Sequence, residues 1–133
     1  MKKSYIVIFF ILILIISGGY FVYNIFFPVA KSIEYPEVKQ IYSINISSDN
    51  GVIEYSDIDQ FTAISGYIVN AKATRIWSVN DVPNLPYYTI KIDTIDSNST
   101  YIYFIYENSS KVYIEQSYYG VYIIDKEIIN FVK

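Results

Sequence analysis

Apolar and polar positions divide this chain into two unlike parts. From Tyr5 to Phe27 no charged residue occurs, and Lys2 and Lys3 stand immediately before the run. At about 1.5 Å per residue, a helix over this stretch is roughly 35 Å long, enough to cross a hydrocarbon core of about 30 Å with some tilt. Lipid offers the backbone no hydrogen-bonding partner, so the segment must satisfy itself as a helix. The excess of Lys on the leading side predicts an N-inside orientation. Tyr5 at one end, and Tyr20, Tyr23, Phe26 and Phe27 at the other, suit the two headgroup regions. The competing reading is a cleaved signal peptide, with Tyr5–Ile16 as its apolar region and Ser17 and Gly19 near the cut. Apolar residues resume directly after Gly19, which favours a retained single-span anchor. Both readings place residues 31–133 outside the cytoplasm.

Beyond the span, Pro28 and Pro36 mark a short linker, residues 28–37, too brief to serve as a flexible stalk. The pattern then becomes that of one small domain, residues 38–133. Val38–Ile46 alternates as a strand with Tyr42, Ile44 and Ile46 on one face, and Asn50–Gly51 signals a hairpin turn into Val52–Tyr55. Ser56 stands where a helix cap is needed. The stripe Ile58, Phe61, Ile64, Ile68 and Ala71 predicts an amphipathic helix ending near Ala73, with Gly66 allowing a close approach to a sheet. Tyr87–Ile95, Thr100–Tyr106, Lys111–Gln116 and Val121–Ile124 read as four strands, antiparallel because their turns are short. The near-continuous apolar run Thr100–Tyr106 predicts a central strand covered on both faces. Asp125 then caps a last short helix, Lys126–Val132. The fold class is α+β: a transmembrane helix, then a hairpin, one helix, a four-stranded antiparallel meander and a C-terminal helix.

Composition narrows the chemistry. The chain has no His and no Cys, which removes the commonest general base, the best thiol nucleophile, disulfides and a lipidated cysteine. The reading is therefore non-enzymatic, with no cofactor and no metal; Asp57/Asp59 and Asp93/Asp96 read as capping and strand-end residues. Apart from Lys2 and Lys3, the chain carries 8 basic and 13 acidic residues, a net charge of −5. A domain this acidic is not a nucleic-acid binder.

The irregular stretch Thr74–Pro86 carries the only Arg, Arg75, and the only Trp, Trp77, followed by Asn80 and Asp81. A long connection in a small domain is often functional, and Trp and Arg are the types most enriched at binding hot spots. The structural alternative has Trp77 plugging the core and Arg75 pairing with Asp81. Tyr113, Tyr118 and Tyr119 in the last hairpin form a second candidate contact patch, or line a sheet edge.

Two stretches, Ala71–Pro83 and Tyr113–Tyr122, resemble a family of small exported Gram-positive bacterial domains of unknown function, which follow a signal anchor or a lipoprotein signal. Thr74, Arg75, Ser78, Val79, Asp81 and Pro83 match its first motif, and Tyr113, Glu115, Tyr118, Gly120 and Tyr122 its second. Ser117 stands where that pattern has Pro. The resemblance implies fold and location, and no activity. The expected role is binding of a protein, peptide or envelope component outside the cell. Two alternatives are self-protection against a toxic peptide or hydrolase, and an accessory subunit of a membrane complex packed through Ser17-Gly18-Gly19.

Overall fold

The charge-free run folds as helix α1, Lys2–Phe26, in a computed structural model that describes residues 2–78, 81–96 and 99–133. Within it Tyr5–Phe26 is apolar and long enough to cross a membrane, a property that a signal sequence shares. None of that stretch is buried against the rest of the protein. Phe27 N still donates to Tyr23 O (2.8 Å), after which Pro28 ends the helix.

Among the described residues the domain is one seven-stranded sheet. Its strands are β1 (Ile41–Ser48), β2 (Gly51–Tyr55), β3 (Lys72–Ala73), β4 (Tyr87–Thr94), β5 (Thr100–Asn108), β6 (Lys111–Gln116) and β7 (Gly120–Ile124). They lie in the order β2-β1-β4-β5-β6-β7-β3, and every pair is antiparallel. The expected meander is β4–β7, but it is not a separate sheet. Strand β1 of the hairpin joins it along β4, and β3 closes the other edge on β7.

One face of the sheet carries the core. Ile44, Ile46, Ile90, Ile92, Tyr103, Ile105, Ile114 and Tyr122 lie beneath Phe61, Ile64 and Ile68 of helix α2 (Ile58–Val69), and Ile128 and Val132 complete the cluster. Val132 belongs to the short α3 (Ile129–Val132), which follows a 3-10 turn capped by Asp125. The β-branched and aromatic strand residues meet the helix stripe at every second position, as a half-covered sheet requires.

Several boundaries differ from the sequence reading. A 3-10 turn occupies Val38–Gln40, and a register shift between Ile41 and Ser43 turns Tyr42 outward, so Ile41 takes the core place expected for it. The first hairpin turns on Asp49–Asn50, with Gly51 at φ +140 beginning β2. Helix α2 is capped by Asp57, whose side chain accepts from Asp59 N (2.6 Å), rather than by Ser56. The helix ends at Val69 because Lys72 and Ala73 are drawn into pairing with β7. Gly66 has open space where a Cβ would stand, so close helix–sheet approach is not its reason. In β5, Tyr103 to Tyr106 are buried whereas Ile102 is exposed, so both faces are covered over only part of the strand.

The linker is laid on the sheet. Glu34 N donates to Gln116 Oε1 (2.9 Å), Tyr122 OH to Lys31 O (2.7 Å), and Tyr103 OH to Glu34 O. Tyr35 stacks on Tyr103, with ring centroids 6.2 Å apart, and shares a 2.5 Å hydrogen bond with Ser65 of α2. Burial pushes the hydroxyls of Tyr35 and Tyr103 above the ordinary phenol value.

Candidate functional site: the loop over the second sheet face

Opposite the helices, Phe104, Tyr106, Glu115 and Val121 are buried on the second face of the sheet. What covers this region is the connection from β3 to β4. Thr74 starts it: its N–H (3.1 Å) and its hydroxyl (2.7 Å) both donate to Val121 O, and the hydroxyl accepts from Ile76 N (3.0 Å). Thr74 O accepts from Ala30 N (2.8 Å), so linker, β3 and β7 lie side by side at this edge. Ser78 then turns inward and donates to Glu115 Oε1 (2.5 Å), with both residues buried.

The residues singled out in the sequence fall into three groups. Arg75 does not pair with Asp81. Its guanidinium donates to Asn24 Oδ1 (2.8 Å) and to Phe27 O, and lies 5.0 Å from the centre of the Tyr23 ring. It thereby caps the C-terminal end of α1, where a cation suits the negative helix terminus. Trp77 does not plug the core, for it is 60% exposed. Asn80 lies outside the described residues.

Asp81 and the last hairpin form the third group. Asp81 O accepts from Ser117 Oγ (2.9 Å) and Asp81 Oδ1 from Tyr118 OH. Ser117, where the resembled pattern has Pro, thus clips the loop by its hydroxyl. The bond to Asp81 also holds the Tyr118 hydroxyl above the ordinary phenol value. Tyr118 has φ +64, a left-handed conformation unusual for an aromatic residue, and its side chain is 68% exposed. Tyr119 is also exposed, whereas Tyr113 is half-buried and stacks on Tyr106 with ring centroids 5.7 Å apart.

Two hollows result, sharing Ile76 and Trp77. A groove of about 320 Å³ runs between Pro28–Lys31 of the linker, Ile76–Ser78 of the loop and Tyr118–Gly120 of the hairpin. A smaller hollow of about 220 Å³ adjoins it, between Trp77, Leu85, Tyr106, Tyr113 and Glu115. Burial, and then the Glu115 charge, push the Tyr106 hydroxyl well above the ordinary phenol value. Glu115 and Ser78 were visible in the sequence only as motif matches. The one signal for a buried role is a carboxylate that directly follows the apolar strand residues Val112–Ile114. Among the described residues, no group of three or more Asp and Glu side chains converges as a metal site would require.

The comparisons bear on this same region. A family profile for a domain of unknown function, DUF5301 (described as DUF5300), matches residues 29–123. The chain belongs to the DUF5301 family. The matched segment begins in the linker and includes the whole loop and the last hairpin, so the DUF5301 unit contains the packed linker described above. The NMR structure of a protein from Ruminococcus gnavus is 31% identical to the chain, with a TM-score of 0.61. The match covers 71% of this chain and 92% of that one. No curated protein matches the sequence.

Proposed function

We propose that this DUF5301 protein is a single-span, N-inside membrane protein that displays a non-enzymatic binding module outside the cytoplasm. In this reading the module takes a protein or peptide segment in the groove between the 75–86 loop and the β6–β7 hairpin. The exposure of Trp77 carries the proposal. A large aromatic side chain held in the open next to exposed Ile76 and Tyr118, on the rim of a 320 Å³ groove, is the composition of a contact hot spot rather than of a loop anchor. Tyr118 adds to it. Holding an aromatic residue in the left-handed region costs about 1–2 kcal/mol, and such outliers concentrate where a side chain must be aimed.

The test uses the full chain in its own membrane, with a photo-crosslinking residue at position 77 or, as control, at Val52 on the outer edge strand β2. The binding reading predicts one discrete adduct from position 77 that is lost on Tyr118→Ala, and none from position 52. Equal adducts from both positions, or none from either, would contradict it.

A further inference from the structure

We infer that the 220 Å³ cavity behind Trp77 is a receptor for one organic cation, the ammonium or guanidinium head of a Lys or Arg side chain. Glu115 is 7% exposed and lines that cavity. Its described hydrogen-bond partners are neutral ones, the hydroxyls of Ser78 and Tyr106. The ion pairs among the described residues are Lys39–Glu37, Lys91–Asp93 and Lys133–Glu107, and none involves Glu115. A carboxylate withdrawn from water without a cation is unfavourable, and bonds from neutral hydroxyls offset only part of that.

What surrounds Glu115 is the environment that a cation seeks. Trp77, Tyr106 and Tyr113 line the same space, with the Tyr106 and Tyr113 rings stacked on one another. Aromatic faces attract a cation, more strongly where water is excluded, and a carboxylate supplies the charge-assisted acceptor. The cavity is smaller than the roughly 300–1,000 Å³ of drug-sized sites, which fits the end of one side chain. It adjoins the 320 Å³ groove across Trp77, so a peptide in the groove has a side-chain pocket beside it. The net charge of −5 outside the membrane favours approach of a basic segment.

This inference rests on the proposed binding face and names the chemistry that it selects. Trp77 is the only Trp of the chain, so its fluorescence reports on the cavity and the groove that adjoins it. The full chain in lipid nanodiscs is titrated with butylammonium, with butylguanidinium and, as a neutral match, with butanol. A saturable change in Trp77 emission is expected with one or both cations and not with butanol, and the stronger of the two tells a Lys from an Arg pocket. Glu115→Gln is expected to weaken the response about tenfold or more, and Tyr113→Leu to weaken it without unfolding, as read by circular dichroism. Absence of a saturable cation response overturns the inference. So does an equal response to butanol, or a cation response unchanged in Glu115→Gln. If the crosslink at position 77 forms while the cations fail, the binding face stands and its cation selectivity falls. If neither is seen, both fall.

Discussion

Arg75 reaches out of the domain to Asn24, with its Nη2 2.8 Å from Asn24 Oδ1, and so joins the 75–86 loop to the last turn of α1. Its stacking on Tyr23 and its bond to Phe27 O use the fork and the flat face of the same guanidinium. Lys offers neither. Arg75→Ala and Arg75→Lys are both expected to loosen the domain from the helix end while leaving its fold intact. A half-exposed set of contacts is worth about 1 kcal/mol at most. Faster amide exchange at residues 29–31 and 74–78, with an unchanged thermal midpoint, would bear this out. A large fall in the midpoint would show that Arg75 supports the core instead.

Gly120 lies against Ala30 more closely than any side chain allows. A Cβ at Gly120 would stand 2.3 Å from Ala30 Cβ, and its φ is +157. Gly120→Ala is therefore expected to push the linker off the hairpin and to destabilise the domain by about 1–3 kcal/mol. Ala30→Gly in the same chain should restore the steric share of that loss. Denaturant unfolding of the two single variants and the double variant gives the coupling, and strict additivity would refute the contact.

The Ser78–Glu115 bond is buried, so removing its donor is more serious than removing a surface bond. Ser78→Ala is expected to lower stability by about 1–3 kcal/mol. Adding Glu115→Gln should recover part of this, because a neutral amide is easier to leave half-satisfied than a carboxylate. Equal stability of wild type and Ser78→Ala would mean that Glu115 is satisfied in another way.

The buried tyrosines set the alkaline limit. Burial raises Tyr35, Tyr103 and Tyr106 above the ordinary 10.0, with Glu115 adding to the effect at Tyr106. Because the folded values lie above the unfolded ones, this stability is complete below about pH 10. It is lost as the pH rises from there towards the folded values. The acid side has the opposite sign at Asp93, held low by its hydrogen bond from Lys91 and a further one from Thr100. Its contribution is present above the ordinary carboxylate value and fades as the pH falls through the depressed one. Thermal midpoints should therefore fall beyond pH 10 as phenolate absorbance rises. A midpoint that holds while phenolate absorbance grows would contradict the buried phenols.

Periodicity made most of the fold legible. The 3.6-residue stripe of α2 and the alternation of β4 to β7 are set by the core they share, and their residues stand in the sequence where the packing needs them. The bulge at Tyr42 was not legible, since a register shift changes which residue faces inward without changing composition. Neither was β3, two residues of strand formed by pairing with a partner about fifty positions away. At the site, the two separated motifs meet in space: Ser78 with Glu115, Asp81 with Ser117 and Tyr118, and Thr74 with Val121. The sequence marked the residues as unusual but not their partners. Nearness in the chain suggests Asp81 for Arg75, whereas its partner Asn24 in α1 lies 51 residues earlier.

All of this presumes that the apolar helix remains in the bilayer with the domain on the outer side. The absence of native Cys makes that directly measurable, using Val52→Cys on the exposed hairpin and Ser4→Cys before the span. Intact cells are treated with a membrane-impermeant maleimide, and the carbonate-washed membranes are then assayed. The predicted result is labelled full-length chain from Val52→Cys and label at Ser4→Cys only after lysis. Label at Ser4→Cys in intact cells with none at Val52→Cys, or labelled domain shed from the membrane without its helix, would contradict it.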